Sequence, residues 1–196
     1  MREEMKKRRH EAIAAAAYTL LAEKGYDGAS MLSIAKMAKA SNETLYRWYG
    51  DKQGLFRALV QDNAAQIADE LGRAISRNDD PLQTLERVAP VFLNMLLGER
   101  AVLLNRAAAS EPTGELGAAL SANGRDVVQP LFKDVMMGVA MGDSAKAEML
   151  TGAFLGLLVG DLQIKRVIGV APVPTAAQID ARVTAGLYLF SKLVEK

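Results

Sequence analysis

The chain of 196 residues has no cysteine and a single histidine. Without cysteine there are no disulfides, no thiolate nucleophile and no thiolate metal site. The absence fits a reducing cytoplasm. The one histidine, His10, lies in a charged N-terminal stretch. It supplies neither a metal-ligand cluster nor a Ser-His-Asp triad, and it reads as an exposed polar residue. Proline is scarce, at six residues, and aromatics make up 6%. No run reaches the roughly 18 apolar residues of a membrane span. The apolar run 12–22 follows Lys6–Arg9 and imitates a secretory leader. Glu3, Glu4, Glu11 and the run's alanine content argue against that reading. There is no phosphate-binding glycine loop and no dinucleotide fingerprint after a strand. The paired acids Asp79 and Asp80 fall in a capping loop. The chain therefore reads as no enzyme, with no cofactor and no metal.

What is present points to helices. Half of the residues are hydrophobic and 24% are charged. Abundant Ala, Leu and Met with little Pro favour an all-α fold. The net charge of +1 conceals an asymmetry: residues 1–57 hold 11 Lys/Arg against 7 Asp/Glu, and residues 58–196 hold 13 against 16. A basic head on an acidic body suits a polyanion at one end. Chance scatter produces an excess of this size as well.

The stretch from Ser30 to Phe56 is the most informative. It reads as two short helices joined by a tight turn, then the start of a third. Leu32, Ile34, Ala35 and Ala38 mark the first. Ser41 is an N-cap for the second, which runs to about Tyr49. Leu45 and Tyr49 share one face, and Glu43, Thr44, Arg47 and Trp48 the other, with Tyr46 at the flank. Donors, a cation and an aromatic on so short a helix suit a DNA major groove and its phosphate walls.

The run Ser-Ile-Ala-Lys-Met-Ala-Lys-Ala-Ser-Asn-Glu-Thr-Leu-Tyr-Arg-Trp-Tyr-Gly-Asp-Lys-Gln-Gly-Leu-Phe resembles the helix-turn-helix signature of TetR/AcrR-type transcriptional regulators. The likeness covers residues 10–60. Lys39 and Ala40 stand where the family usually has Gly-Val, and Asn42 where a basic residue is common. The resemblance implies a homodimer on a double-stranded, near-palindromic DNA operator. It also implies release by an apolar or amphipathic small molecule, and most often repression. DNA contacts are then expected from Arg8 and Arg9 in an N-terminal arm, and from Ser30, Lys39 and Ser41. The second helix adds Asn42, Glu43, Thr44, Tyr46, Arg47 and Trp48, and Lys52 follows. Thr44, Arg47 and Glu43 reach base edges in this reading, while Tyr46 and Lys52 hold phosphates. The N-terminal basic residues read equally as a solvated terminus. Lys39 either bears the cost of a left-handed turn or offsets it with a phosphate.

The pattern predicts about nine helices: a three-helix head over residues 1–54, and a larger ligand-binding and dimerising body over 55–196. A helix over 52–77, capped by Asp51, links them, with Leu55, Phe56 and Leu59 toward the head and Ile67, Leu71 and Ile75 toward the body. Helices follow over 81–97, 100–110, 115–141 (bent at Gly124 or Pro130), 144–167 and 176–194. Phe92, Met95, Leu103, Phe132, Met136 and Phe154 are candidate cavity-lining residues, with Arg106, Gln129 and Asp161 as polar anchors. Met-rich faces serve a packed core as well as an adaptable pocket. Gly152, Gly156 and Gly160 form a small-residue ridge. With Ile179, Val183, Leu187 and Phe190 they are the candidate dimer interface, or else they pack within one chain. A helical protein–protein adaptor without DNA binding is the alternative function.

Overall fold

The computed structural model describes residues 2–195 and contains no strand among them. Its α-helices are α1 (Arg2–Gly28), α2 (Met31–Met37), α3 (Asn42–Tyr49), α4 (Lys52–Arg77), α5 (Pro81–Leu97), α6 (Glu99–Ser110), α7 (Glu115–Leu120), α8 (Asp126–Val139), α9 (Ser144–Val159), α10 (Leu162–Val167) and α11 (Ala176–Val194). A π-helical stretch, Ser121–Arg125, joins α7 to α8 without a break. The described residues therefore form ten helical rods, one more than the sequence pattern suggested. The extra one comes from the expected helix 144–167. It breaks at Gly160, whose φ of 51° and ψ of −129° lie outside the helical region.

The helix starts follow their capping chemistry. Ser41 accepts the Thr44 N–H, Asp51 the Gly54 N–H, Asp80 the Gln83 N–H and Asp143 the N–H groups of Ala145 and Lys146. Thr175 and Gln178 form a reciprocal capping box before α11. Each cap satisfies backbone donors that a helix start leaves unpaired.

Two hydrophobic cores result. One lies in the body, between α4, α5, α8, α9 and α11. A chain of rings crosses it: Phe92–Phe132 at 5.2 Å, Phe132–Phe154 at 5.9 Å and Phe154–Phe190 at 5.3 Å. Offset and edge-on contacts of this kind favour such packing. The other core lies in the head, around Ile13, Ala17, Leu20, Ile34, Leu45 and Phe56. It does not end with α3. Leu104 and Ala107 of α6 and Leu116 of α7 belong to it too, so the head is seated on α6 and α7. Ile75 was expected inward but is exposed near the end of α4.

α4 is common to both cores. Leu55, Phe56, Leu59 and Val60 bury in the head core, and Ala64, Ile67 and Leu71 in the body core. α6 is tied to α10 by two arginines. Arg166, with a side chain only 7% exposed, donates to the Leu97 and Ala171 carbonyls and to the Glu99 carboxylate. Arg106 donates to the carbonyls of Arg166 and Val167.

Candidate nucleic-acid interface and effector cavity

In the head, α3 is held by Leu45, which is fully buried. Asn42, Glu43, Tyr46 and Arg47 are exposed around it. Arg47 lies 3.8 Å from Glu43 one turn earlier, a loose exposed pair. The hydroxyls of Ser41 and Thr44 share a hydrogen bond of 2.8 Å. Ser30 and Ser33 form the capping box of α2. The two serines expected at DNA thus also fix the helix starts.

The turn between α2 and α3 is left-handed at Lys39, with φ of 51°. A non-glycine residue in that region costs about 1–2 kcal/mol. Lys39 itself thus takes the left-handed conformation that glycine adopts without that cost. The Lys39 side chain is exposed.

Three placements differ from the sequence reading. Trp48 is not a free outer-face residue. It is half-buried against the head core, stacks edge-on against Tyr49 and has the Lys6 amine 5.9 Å from its ring. Lys6, Arg9, Thr44, Arg47 and Trp48 line one open groove between α1 and α3. Arg8 points elsewhere and pairs with Glu4 at 3.0 Å. Lys52 is turned inward: its amine donates to the Tyr26 carbonyl at 2.9 Å and stands 4.1 Å from the Tyr26 ring centre. That engagement revises the free phosphate-binding amine expected of it, because a donated N–H and a cation–π contact hold it to the head.

The third difference is His10. It is half-buried and joins three helices. Nδ1 lies 2.8 Å from the Tyr49 hydroxyl at the end of α3, and Nε2 2.5 Å from the Asp62 carboxylate on α4. A carboxylate only accepts, so Nε2 carries the proton. Burial, with the Asp62 charge adding to it, pushes the Tyr49 hydroxyl up to about 12. Tyr49 therefore remains a neutral O–H able to donate to Nδ1. Close by, a Cβ on Gly54 would stand 1.8 Å from the Tyr49 carbonyl oxygen. Only glycine lets the first turn of α4 approach α3 so closely.

In the body, a cavity of about 540 Å³ opens between α4–α10. Of the candidate lining residues, Phe92, Met95, Gln129 and Phe132 are in its wall. Met136 and Phe154 are fully buried in the core instead. Leu103 and Arg106 are each displaced by one position. Leu104 and Asn105 face the cavity, because one residue on a helix rotates the side chain by about 100°. Asp161 is exposed and pairs with Lys165 at 2.7 Å. The lining residues that sequence reasoning missed include Asn63 of α4, Gln163 of α10 and Arg125 of the π stretch.

The expected dimer residues also separate. Ile179, Val183 and Phe190 are buried in the chain's own core, and Leu187 is half-buried against it. The strongest apolar stripe of α11 is its core face. Gly152 lines the cavity, and Gly156 has open space over it. A Cβ on Gly160 would meet the Arg182 guanidinium at 2.7 Å. Gly160 therefore does not continue the open space over Gly152 and Gly156. The exposed large apolar side chains of these helices are Met149 on α9 and Tyr188, Leu189 and Leu193 on α11.

Comparison with known proteins fits this geometry. The family model described as "Bacterial regulatory proteins, tetR family" matches residues 13–59. YdeS of Bacillus subtilis (strain 168), an uncharacterized HTH-type transcriptional regulator, is 49% identical over 61 residues. The match spans 31% of this chain and 29% of YdeS. A TetR transcriptional regulator from Agrobacterium tumefaciens is 27% identical, with a TM-score of 0.70 over 94% of this chain and 93% of that one. The chain is similar to TetR-family regulators in the sequence of its head and in its whole fold. A TetR-family structure from Mesorhizobium loti MAFF303099 shares the whole fold, with a TM-score of 0.75 over 95% of this chain and 96% of that one at 22% identity. The family model matches only the head, where α1, α2 and α3 converge. The body shares its fold with these solved structures. Among the described residues no single helix is long and apolar enough to cross a membrane.

Proposed function

We propose that the chain is a DNA-binding transcriptional regulator, a homodimeric repressor in the cytoplasm that a small apolar or amphipathic molecule releases from its operator. The observation that carries this reading is the outer face of α3. Asn42, Glu43, Tyr46 and Arg47 stand exposed on an eight-residue helix whose buried anchor is Leu45. Residues 1–54 form the reading head and 55–196 the body. Two heads of a dimer enter successive major grooves, about 34–36 Å apart. Thr44, Arg47 and Glu43 read base edges. Tyr46, Arg9, Lys6 and the exposed Lys39 contact phosphates. The exposed apolar residues Met149, Tyr188, Leu189 and Leu193 serve dimerisation better than the buried stripe of α11. No observation favours an adaptor.

The switch runs through α4. Val60, Asn63 and Ala64 of this helix are part of the cavity wall. Asp62 lies between them on the head side, bonded to His10, which in turn holds Tyr49. A ligand that prefers a shifted α4 therefore changes the position of α3. Occupancy acts on DNA only if the ligand binds the DNA-incompetent arrangement more tightly. The experiment is selection of operators from random DNA with wild-type protein and with Arg47→Ala. A changed base preference at one position of each half-site is expected, at a cost of about 1–3 kcal/mol for the lost contact. Identical selected sequences would remove Arg47 from the reading residues.

A further inference from the structure

The cavity wall has an uneven chemistry. Of the residues that line it, one is a cation, Arg125, and none is a carboxylate. Four carboxamides reach it from four helices: Asn63, Asn105, Gln129 and Gln163. The rest is almost wholly apolar, with Phe92, Met95, Leu96 and Leu155 among it. Arg125 is exposed at the rim, in the π-helical stretch. Its Nε donates to the Gln129 Oε1 at 2.9 Å, which orients the guanidinium and leaves its Nη groups for a ligand. The carboxylate next in the chain, Asp126, accepts from the Ser121 hydroxyl at 3.1 Å and is not part of the wall.

From this we infer that the cavity takes an amphiphile with an apolar body and a single anionic head, and discriminates against a cationic one. The inference rests on the reading of the cavity as the effector site. The apolar body fills the space beside Phe92 and Phe132. The head meets the Nη groups of Arg125 and the Gln129 amide at the rim. A carboxylate fits the planar guanidinium fork with two hydrogen bonds, stronger than neutral ones. An ammonium at the same place faces a like charge and finds no carboxylate in the wall. Neutral heads find the carboxamides and occupy an intermediate rank. The π stretch gives the head group a consequence as well. A Cβ on Gly124 would lie 3.2 Å from the Val60 side chain, so the turn that carries Arg125 is in close contact with α4.

The test uses three probes that share a chain: dodecanoate, dodecanol and dodecylammonium, titrated by calorimetry into the full-length protein at neutral pH and below micelle formation. Dodecanoate is expected to bind about three- to tenfold more tightly than dodecanol, a range set by the exposure of Arg125. Dodecylammonium is expected to bind most weakly. Arg125→Gln should bring dodecanoate down to the affinity of dodecanol and leave dodecanol unchanged. Gly152→Met, which places a side chain in open space in the wall, should weaken both. Equal affinity for the ammonium, an unchanged carboxylate preference in Arg125→Gln, or no saturable binding of dodecanoate overturns the inference. A different result marks failure of the effector reading itself: dodecanoate saturates the cavity with the expected preference, yet affinity for selected operator DNA stays the same.

Discussion

The His10 bridge yields the sharpest quantitative prediction. Replacing His10 with Phe keeps a ring of similar volume and removes both hydrogen bonds. The bond to Tyr49 is partly buried, and a bond of that kind contributes about 0.5–1.5 kcal/mol. The contact with Asp62 is more solvated, with side chains 29% and 43% exposed, and contributes about 0.2–1 kcal/mol. His10→Phe should therefore destabilise the protein by about 1–2 kcal/mol. Tyr49→Phe should cost about 1 kcal/mol, since only the hydroxyl is lost. The double variant should cost little more than His10→Phe alone, because the shared bond is already gone. The coupling read from urea denaturation should be about 1 kcal/mol. The same His10→Phe variant should bind selected operator DNA more weakly at one salt concentration, with an unchanged salt slope, because no phosphate contact is removed. Additive single effects, within about 0.3–0.5 kcal/mol, would refute the bridge as a coupling element.

Other predictions concern backbone geometry and burial. Lys39→Gly should raise thermal stability by about 0.5–1 kcal/mol, since glycine accepts the left-handed turn that lysine strains to hold; weaker operator binding by the same variant would assign Lys39 to a phosphate. Gly54→Ala should cost at least about 1–3 kcal/mol in chemical denaturation, because the new methyl meets the Tyr49 carbonyl. Arg166→Met should cost about 1–3 kcal/mol by the same measurement, since it unpairs the buried Leu97 carbonyl and leaves Arg106 as the remaining tie between α6 and α10. Stability should hold up to pH of about 10, where unfolded tyrosine ionises, and fall as pH rises further toward about 12. Folded Tyr26 and Tyr49 keep their protons up to about 12, so the unfolded state loses protons first and gains relative stability. Circular dichroism against pH, with Tyr49→Phe as comparison, checks the direction.

Local chemistry makes the head readable in the sequence. Ser41 and Asp51 announce helix starts by capping, and they cap in the structure. Leu45 marks the buried side of α3 because an eight-residue helix has room for only one anchor turn. The body was less legible for two physical reasons. Helix phase errors of one residue exchange wall for core, as Leu103 and Arg106 gave way to Leu104 and Asn105. Apolar periodicity also identifies the most hydrophobic face, which in α11 is the core face with Ile179, Val183 and Phe190. A second, weaker apolar face on the same helix, with Leu189 and Leu193, leaves little trace in the pattern. The His10 bridge had no local signal. Its partners lie 39 and 52 residues away and meet only when α1, α3 and α4 have packed. The inward turn of Lys52 is of the same kind: Tyr26 is 26 residues earlier in the chain.

The central claim is sequence-specific DNA binding by the α3 face. Fluorescence anisotropy with the DNA flanking this protein's own coding region, against a shuffled competitor and across a salt series, tests it directly. Saturable binding at least about 10³-fold tighter than to the competitor is expected at physiological salt. Affinity should also fall steeply with salt as phosphate contacts are lost. Equal, weak binding to both DNAs at every salt concentration, with selection from random DNA also enriching no sequence, would contradict the claim.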